Sequence, residues 1–291
     1  MSTKSILLDL SQQNDLRWLS ALVAAVRAGA AGISFFVTGA TARDLLLWYG
    51  HKIHTGRATN DVDIAVAVTG WNEFTAFKAR LLALGEFSEH PKMQGRVRYQ
   101  ESLDVDLIPF GGIEDGNRSI AWPPDQEIVM NLFAFQEVLA AAVEVQLPGG
   151  ESVRIPSLAG LGLLKIAAWV ERRVTAPGKD APDFGVILRH YLPAGNEERL
   201  WDEGAHLLTE PGFDYESAGA WLLGRDMATL LDRDGQLWLS ALFEEEAESE
   251  GALRLVGGMQ MDPDLTLPLI QAAARGVREA TEGERAREGS Q

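Results

Sequence analysis

The sequence lacks cysteine, lacks a long apolar run and is poor in positive charge. The absence of cysteine excludes disulfides and thiolate metal sites. No stretch of about 18 apolar residues occurs, so we expect no membrane span. The N-terminal segment is interrupted early by Asp9 and Asp15 and has no apolar core of the signal-peptide type. Together these absences predict a cytoplasmic protein without a membrane partner.

Acidic residues outnumber basic ones by 42 to 26, which gives a formal net charge of −16. Such a charge repels nucleic acid at long range and weighs against a general DNA- or RNA-binding module. One stretch is more basic, and it is either a local functional patch or ordinary solvated charge: Lys78, Arg80, Lys92, Arg96 and Arg98. The length of 291 residues allows one or two domains with a large core.

The hydrophobic pattern predicts an α+β fold, with a small mixed β-sheet flanked by helices and a mainly helical C-terminal region. A helix is expected over roughly the first 30 residues, followed by alternating elements: a β-run at 33–39, helices at 41–49 and 71–84, and strands at 61–68, 96–100 and 102–109. A helix near 133–142 and a hairpin near 143–155 follow.

Composition changes along the chain predict four parts. They are a catalytic domain (1–112), a connecting segment (113–156), a helical domain (157–275) and a charged tail (276–291). The tail has few apolar residues, so we expect it to be disordered or a frayed helix.

Asp61-Val62-Asp63 opens the strongest predicted strand. Residues two apart in a strand face the same side, so both carboxylates project together. Their repulsion is relieved by a cation, and Mg²⁺ prefers oxygen ligands of this kind. The alternative is that these aspartates simply end a surface loop.

Asp104-Val105-Asp106 repeats the pattern on another predicted strand. If the two strands are neighbours, a third carboxylate reaches the same site and two Mg²⁺ ions can bind. One ion would activate an attacking hydroxyl, and the other would hold a triphosphate and its pyrophosphate leaving group. Asp106 is favoured because the strand is clearest from that residue onward, although Asp104 shares its face.

Two other features point to phosphate. Gly39 ends a short β-run directly before a helix, and such a junction can seat a triphosphate, although many junctions of this form are only structural. Lys165 lies in an otherwise apolar helix, where it either lines a cleft and neutralises phosphate or reaches solvent at the surface. Asp183 either orients Lys165 or the substrate, or is an ordinary acid in a first helical turn.

The segments Val37–Thr41 and Asn60–Ile64 resemble the signature of the DNA-polymerase-β-type nucleotidyltransferase superfamily. A narrower resemblance is to the AbiEii/AbiGii-type nucleotidyltransferases, known chiefly as toxins of bacterial toxin–antitoxin and phage-defence systems. It rests on 57–63 and on a later helical motif that comprises Leu163–Trp169, Arg172, Arg173 and Lys179–Asp183. Residues 33–195 or so carry the match.

The resemblance implies a nucleotidyltransferase fold and transfer of NMP from an NTP to an acceptor hydroxyl, with release of pyrophosphate. It assigns the metal-binding and catalytic roles to Asp61, Asp63 and Asp106, the last also as base. The nucleotide would be held by Gly39, Ala40, Thr41, Arg43, Arg57, Lys165 and Asp183, with the helical domain as one wall of the cleft. Ala40 departs from the usual Gly-Gly or Gly-Ser pair and removes a possible serine contact to phosphate.

The acceptor is left open. The toxin resemblance implies tRNA or another cellular RNA, and a cognate antitoxin as partner, whereas the acidic charge favours a protein or a small molecule. The alternatives are a small-molecule (antibiotic-type) nucleotidyltransferase and a non-catalytic regulator that only binds nucleotide. The intact third carboxylate argues against the regulator.

Overall fold

The computed structural model describes residues 7–56, 61–176 and 178–288, with side chains through residue 283. These residues form two compact units, the first ending at Ser157 and the second starting at Leu158. The predicted connecting segment, 113–156, therefore lies within the first unit. The second unit begins one residue after the predicted start of the helical domain.

The first unit contains ten strands and four α-helices within its described residues. The strands are β1 (Leu7–Asp9), β2 (Phe35–Thr38), β3 (Asp61–Ala67), β4 (Phe87–Glu89), β5 (Arg96–Tyr99), β6 (Leu103–Phe110), β7 (Ser119–Ala121), β8 (Val129–Asn131), β9 (Val143–Gln146) and β10 (Ser152–Ile155). The helices are α1 (Arg17–Ala30), α2 (Gly39–Asp44), α3 (Trp71–Ala83) and α4 (Phe135–Ala140), and a π-helical segment, Leu45–Gly50, continues α2.

A five-stranded sheet in the order β2-β3-β6-β5-β4 forms the centre of the first unit. β3 and β6 are parallel, while the other neighbouring strands are antiparallel. Side chains alternate between the two faces because strand residues two apart point the same way. Val62 and Val105 are fully buried, and the aspartates beside them lie on the half-exposed face. The predicted mixed sheet flanked by helices is confirmed.

Two smaller sheets accompany the central one. β7 pairs with β8 in a segment for which no strands were predicted. The hairpin predicted near 143–155 is confirmed as β9 and β10, and β1 adds to it by pairing in parallel with β9. The prediction of a helix over the first 30 residues is therefore wrong at its start, because α1 begins only at Arg17. Leu7–Asp9 is held by Glu144–Gln146, a partner so distant in sequence that no local pattern indicates it.

The second unit is helical. Its helices are α5 (Leu158–Arg172), α6 (Ala181–His190), α7 (Glu197–Asp202), α8 (Tyr215–Thr229), α9 (Arg233–Ala247), α10 (Arg254–Gly258) and α11 (Pro263–Glu288). Helix α11 runs through the segment from 276 to Glu288, for which a disordered tail or a frayed helix was predicted. Val277 and Thr281 are buried there, which gives the segment a packed face despite its high charge. None of the described helices is long and apolar enough to cross a bilayer.

Helices α8 and α11 approach each other closely at two glycines. A Cβ added at Gly224 would lie 2.1 Å from the carbonyl oxygen of Ala273, and one added at Gly276 would lie 2.0 Å from that of Trp221. Both contacts are with backbone, which cannot rotate out of the way as a flexible side chain can. The crossing therefore depends on glycine on both helices.

We predict that Gly276→Ala lowers the free energy of unfolding by about 1–3 kcal/mol, because the added methyl forces the two helices apart. Gly283→Ala is the matched control on the same helix, since nothing lies within 4 Å of its Cβ position. Removing glycine from an exposed helical position should leave stability unchanged or raise it by up to about 1 kcal/mol. Urea unfolding of both variants measures the difference, and equal stability would contradict the close crossing.

Candidate active site

The half-exposed face of the central sheet carries four carboxylates on two neighbouring strands. In the parallel pairing of β3 with β6, Asp61 lies beside Asp104 and Asp63 lies beside Asp106. The two predicted D-x-D segments are thus in register, and all four side chains are on the face opposite Val62 and Val105. The sheet therefore brings together the three carboxylates predicted from the sequence, with Asp104 as a fourth.

Arg96, on the adjacent strand β5, supplies the positive charge that this cluster needs. Its Nε and Nη2 donate to the two oxygens of Asp106 at 2.5 and 2.6 Å, and it also reaches Asp61 and Asp104 at 3.3 Å each. The bonds to Asp106, more than the other carboxylates, raise the pKa of Arg96 above its ordinary value against the opposing effect of burial. Its guanidinium is therefore a permanent cation within the site.

The basic residues between 78 and 98 have different surroundings. Arg96 and Arg98 alternate on β5 and point to the carboxylate face, where Arg98 Nε lies 3.2 Å from Asp104 Oδ1. Arg80 instead donates to the backbone of Gly29, at the end of α1. The sequence placed Arg96 only in a basic stretch and did not connect it with the aspartates. Two arginines two residues apart on a strand next to an Asp-x-Asp strand could have indicated this pairing.

Within the described part of the chain, no three histidine, cysteine or acidic side chains converge as a metal site. Both oxygens of Asp106 accept hydrogen bonds from Arg96. The chemistry of the face nevertheless fits a divalent cation, because its oxygens are the ligands that Mg²⁺ prefers and the Arg96 guanidinium already lies among three of the carboxylates. A metal ion held by Asp106 would compete with Arg96 for this carboxylate.

Gly39, at the turn predicted to bind phosphate, lies directly beside the carboxylate of Asp63. Helix α2 starts at this residue, two residues earlier than expected, and Gly39 has a φ of +65°. A Cβ at this position would lie 1.9 Å from Asp63 Oδ2. Glycine is required both for the left-handed backbone and for the space that the carboxylate occupies. The turn and Asp63 therefore form one structural unit.

The other residues expected near the nucleotide have different surroundings. Thr41 and Arg43 are buried in α2, and Arg43 Nη2 lies 2.9 Å from Asp44 Oδ1. Ala40 is half-buried at the start of the helix. Arg57 lies outside the described residues. The geometry thus ties Arg43 to its own helix through at least one carboxylate.

Lys165 and Asp183 meet in the second unit, as the sequence analysis considered. Lys165 Nζ lies 2.7 Å from Asp183 Oδ2 and 3.7 Å from Asp180 Oδ1. Asp180 is 1% exposed and also accepts two-pronged hydrogen bonds from Arg172. The sequence analysis gave Asp180 no role, since an acid just before a helix is common. The pair of acids holds the lysine in one place.

A strand, a glycine turn into a helix, and facing D-x-D segments on parallel strands form the arrangement of a nucleotidyltransferase. The sequence profile described as "Nucleotidyl transferase AbiEii toxin, Type IV TA system" matches residues 20–269, and the chain belongs to this family. The predicted family and enzyme class are confirmed. Transfer of a nucleoside monophosphate from an NTP is therefore the general activity of the protein.

Three solved structures are similar to the chain at low identity. They are the antibiotic-resistance factor ANT(2'')-Ia (15% identity, TM-score 0.36, 67% of this chain and 99% of that one), JHP933 from Helicobacter pylori (13%, 0.34, 95% and 97%) and a CCA-adding enzyme in complex with ATP (13%, 0.25, 94% and 83%). At these TM-scores the likenesses define no shared substrate. No curated protein sequence matches the chain.

We predict that Gly39→Ala reduces nucleotidyl transfer by at least about a hundredfold, because the methyl displaces the Asp63 carboxylate, and losses of this size follow from an ångström of misplacement. Gly85→Ala is the control, since Gly85 also has a left-handed φ, of +78°, but no atom lies within 4 Å of its Cβ position. Both variants should lose stability to a similar extent by backbone strain. Rates and melting temperatures measured side by side test this, and full activity in Gly39→Ala would contradict it.

Proposed function

We propose that this enzyme transfers NMP to a hydroxyl of an RNA acceptor, with tRNA as the first candidate, in a reaction that depends on Mg²⁺. The observation that carries the proposal is the register of β3 and β6, which places the carboxylates of Asp61, Asp63 and Asp106 on one half-exposed face. A face of this kind provides oxygen ligands for metal ions and remains open to a substrate.

Each carboxylate has a separate role. Asp61 and Asp63, which share one strand and one face, would hold the metal ions together with Asp106. The bound ions would stabilise the negative charge of the triphosphate and lower the pKa of the attacking hydroxyl. Asp106, once released by Arg96, accepts the proton of that hydroxyl. Asp106 is assigned as the base rather than Asp104 because it lies beside Asp63, the carboxylate next to the Gly39 turn, in the register of β3 and β6.

The phosphates of the NTP would be held from two places in the sequence. The Gly39 turn presents backbone N–H groups beside Asp63, and Ala40 and Thr41 continue the same turn. Lys165 adds a positive charge whose position is fixed by Asp183 and Asp180. Arg43 and Arg57 complete the set by resemblance.

The family supports an antitoxin as a physiological partner, since its members are described as toxins of a toxin–antitoxin system. RNA as the acceptor class comes from the resemblance of the sequence to these toxins. The net charge of −16 opposes a large nucleic-acid interface. An RNA that presents only one end to the site is compatible with both the RNA acceptor and the acidic charge of the protein. Small hydroxyl-bearing antibiotics are the rival acceptors, and cytoplasmic action is part of the proposal.

We predict that the purified protein transfers label from an α-labelled NTP to total tRNA in the presence of Mg²⁺ and loses this activity in EDTA. Asp61→Asn, Asp63→Asn and Asp106→Asn should each reduce the rate by about a thousandfold or more, because the metal ligands or the base are lost. Asp104→Asn is the matched control from the same face and should retain activity within about tenfold.

The assay includes aminoglycosides as parallel acceptors. Label on aminoglycosides but not on tRNA would replace RNA with a small-molecule acceptor. Bound NTP without transfer to any acceptor would contradict the catalytic proposal. A rate lost in Asp104→Asn but kept in Asp106→Asn would exchange the roles of these two residues.

A second prediction concerns Arg96. Arg96→Gln removes the cation from the cluster, so the metal-free protein should melt earlier, while Mn²⁺ should bind roughly tenfold more tightly, because it no longer displaces charge-assisted hydrogen bonds of about 1.5–3 kcal/mol. Arg98→Gln is the control from the same strand and face, and its metal affinity should change little. The metal-induced rise in melting temperature measures both effects. A smaller rise in Arg96→Gln than in the wild type would contradict competition between Arg96 and metal.

A further inference from the structure

A cavity of about 860 Å³ opens in the first unit beside the carboxylate cluster. Its wall includes Asp61 from β3, Thr41 from α2 and three aromatic residues from three different elements. The aromatics are Trp18 of α1, Tyr49 of the π-helical segment and Tyr99 of β5. Pockets for small organic ligands usually measure about 300–1,000 Å³ and combine apolar walls with a few polar groups. The cavity therefore has the size and the character of a ligand site.

Trp18 is the aromatic residue with an available face. It is 44% exposed, and among the described residues no other ring or cation lies against its indole. An exposed tryptophan alone is common on protein surfaces. One that borders a cavity whose wall also contains a proposed metal ligand is placed to stack on a planar group.

The two tyrosines form a fixed, uncharged part of the wall. Tyr99 is 5% exposed and its hydroxyl donates to Glu86. The Tyr49 hydroxyl donates to Asp15, and burial together with this contact raises the pKa of Tyr49 to about 12. Both phenols are held by carboxylates outside the cavity wall, so their rings are kept in place.

The charge of the wall excludes phosphate as the bound group. The described residues that line the cavity include the carboxylates of Asp44 and Asp61 but no lysine or arginine. A phosphate here would meet two carboxylates, and the cations next to them, Arg96 and Arg43, are already paired with these carboxylates. An uncharged aromatic part of a nucleotide meets no such penalty and gains stacking and burial.

We propose that this cavity, the Trp18 pocket, binds a nucleobase, with Trp18 as the residue that stacks on it. The proposal rests on the proposed function and names a base-binding subsite for the same reaction. Because Asp61 lies on the cavity wall, a nucleoside held in the pocket would lie next to this one carboxylate of the cluster. The base belongs either to the NTP or to the terminal nucleotide of the RNA acceptor.

The test compares Trp18→Ala with wild-type protein by calorimetric titration. The probes are each of the four NTPs, an RNA oligonucleotide with a free 3′-hydroxyl, and inorganic tripolyphosphate, which has the charge of an NTP but no base. Loss of one stacking contact should weaken the base-bearing ligand by roughly fivefold to a hundredfold, and tripolyphosphate should bind unchanged. Trp18→Phe, which keeps a stacking face, should bind within a few-fold of the wild type.

Trp201→Ala is the matched control, since Trp201 is also exposed, at 64%, but lies on α7 in the second unit. Weaker NTP binding in Trp18→Ala assigns the pocket to the donor base, and weaker oligonucleotide binding assigns it to the acceptor. Either result supports the proposal. Unchanged binding of both ligands overturns it, as does an equal loss of affinity for tripolyphosphate.

The binding test of the Trp18 pocket and the activity test of the proposed function can fail independently of each other. Titrations need no catalysis, so base-dependent binding that is lost in Trp18→Ala would support the pocket even if no acceptor were labelled. Conversely, transfer of label with unchanged affinities in Trp18→Ala would overturn the pocket and leave the transferase reaction intact.

Discussion

The main constraint on this molecule is electrostatic, because the pairing of β3 with β6 brings four carboxylates together. The register places Asp61 beside Asp104 and Asp63 beside Asp106, with all four carboxylates on one face. Adjacent carboxylates repel unless a cation lies among them or one is protonated. Arg96 fulfils that need here through its bonds to Asp106 and its longer contacts to Asp61 and Asp104. A metal ion would meet the same electrostatic demand, and so arginine and metal are alternatives for Asp106.

The same constraint extends to the backbone through Asp63. Its Oδ2 fills the space where any side chain at position 39 would begin, so the D-x-D strand and the turn into α2 cannot vary independently. Thr38 pairs with Asp63 in the antiparallel β2–β3 ladder, which fixes the turn relative to the carboxylate. The turn proposed to bind phosphate and the carboxylate proposed to bind metal are thereby positioned by a single pair of strands. Rigid placement of this kind limits the reorganisation that a reaction requires.

The sequence was most informative where chemistry and periodicity coincide. In Asp61–Ala67, half-exposed aspartates alternate with buried apolar residues over the first four positions, and apolar residues continue to the end of the strand. Both the strand and its carboxylates could therefore be predicted from the local pattern. The pairing of Lys165 with Asp183 was considered for similar reasons. Arg96 was missed because its role depends on the antiparallel pairing of β5 with β6, which is a tertiary fact. For the segment at 276–288 the sequence left a disordered tail and a frayed helix open, because buried positions such as Val277 and Thr281 are too few to offset its charge in a pattern.

The distribution of charge also restricts how an RNA could approach. The chain is strongly acidic, and the Trp18 pocket contributes two further carboxylates without a lysine or arginine in its described wall. The body of a polyanion would be repelled from such a surface, and the repulsion would weaken with salt. The terminal nucleotide differs, because its hydroxyl and base can enter the site while most phosphates stay in solvent. The proposed RNA acceptor would thus have to present its end rather than its length, and its recognition would depend on stacking more than on counterion release.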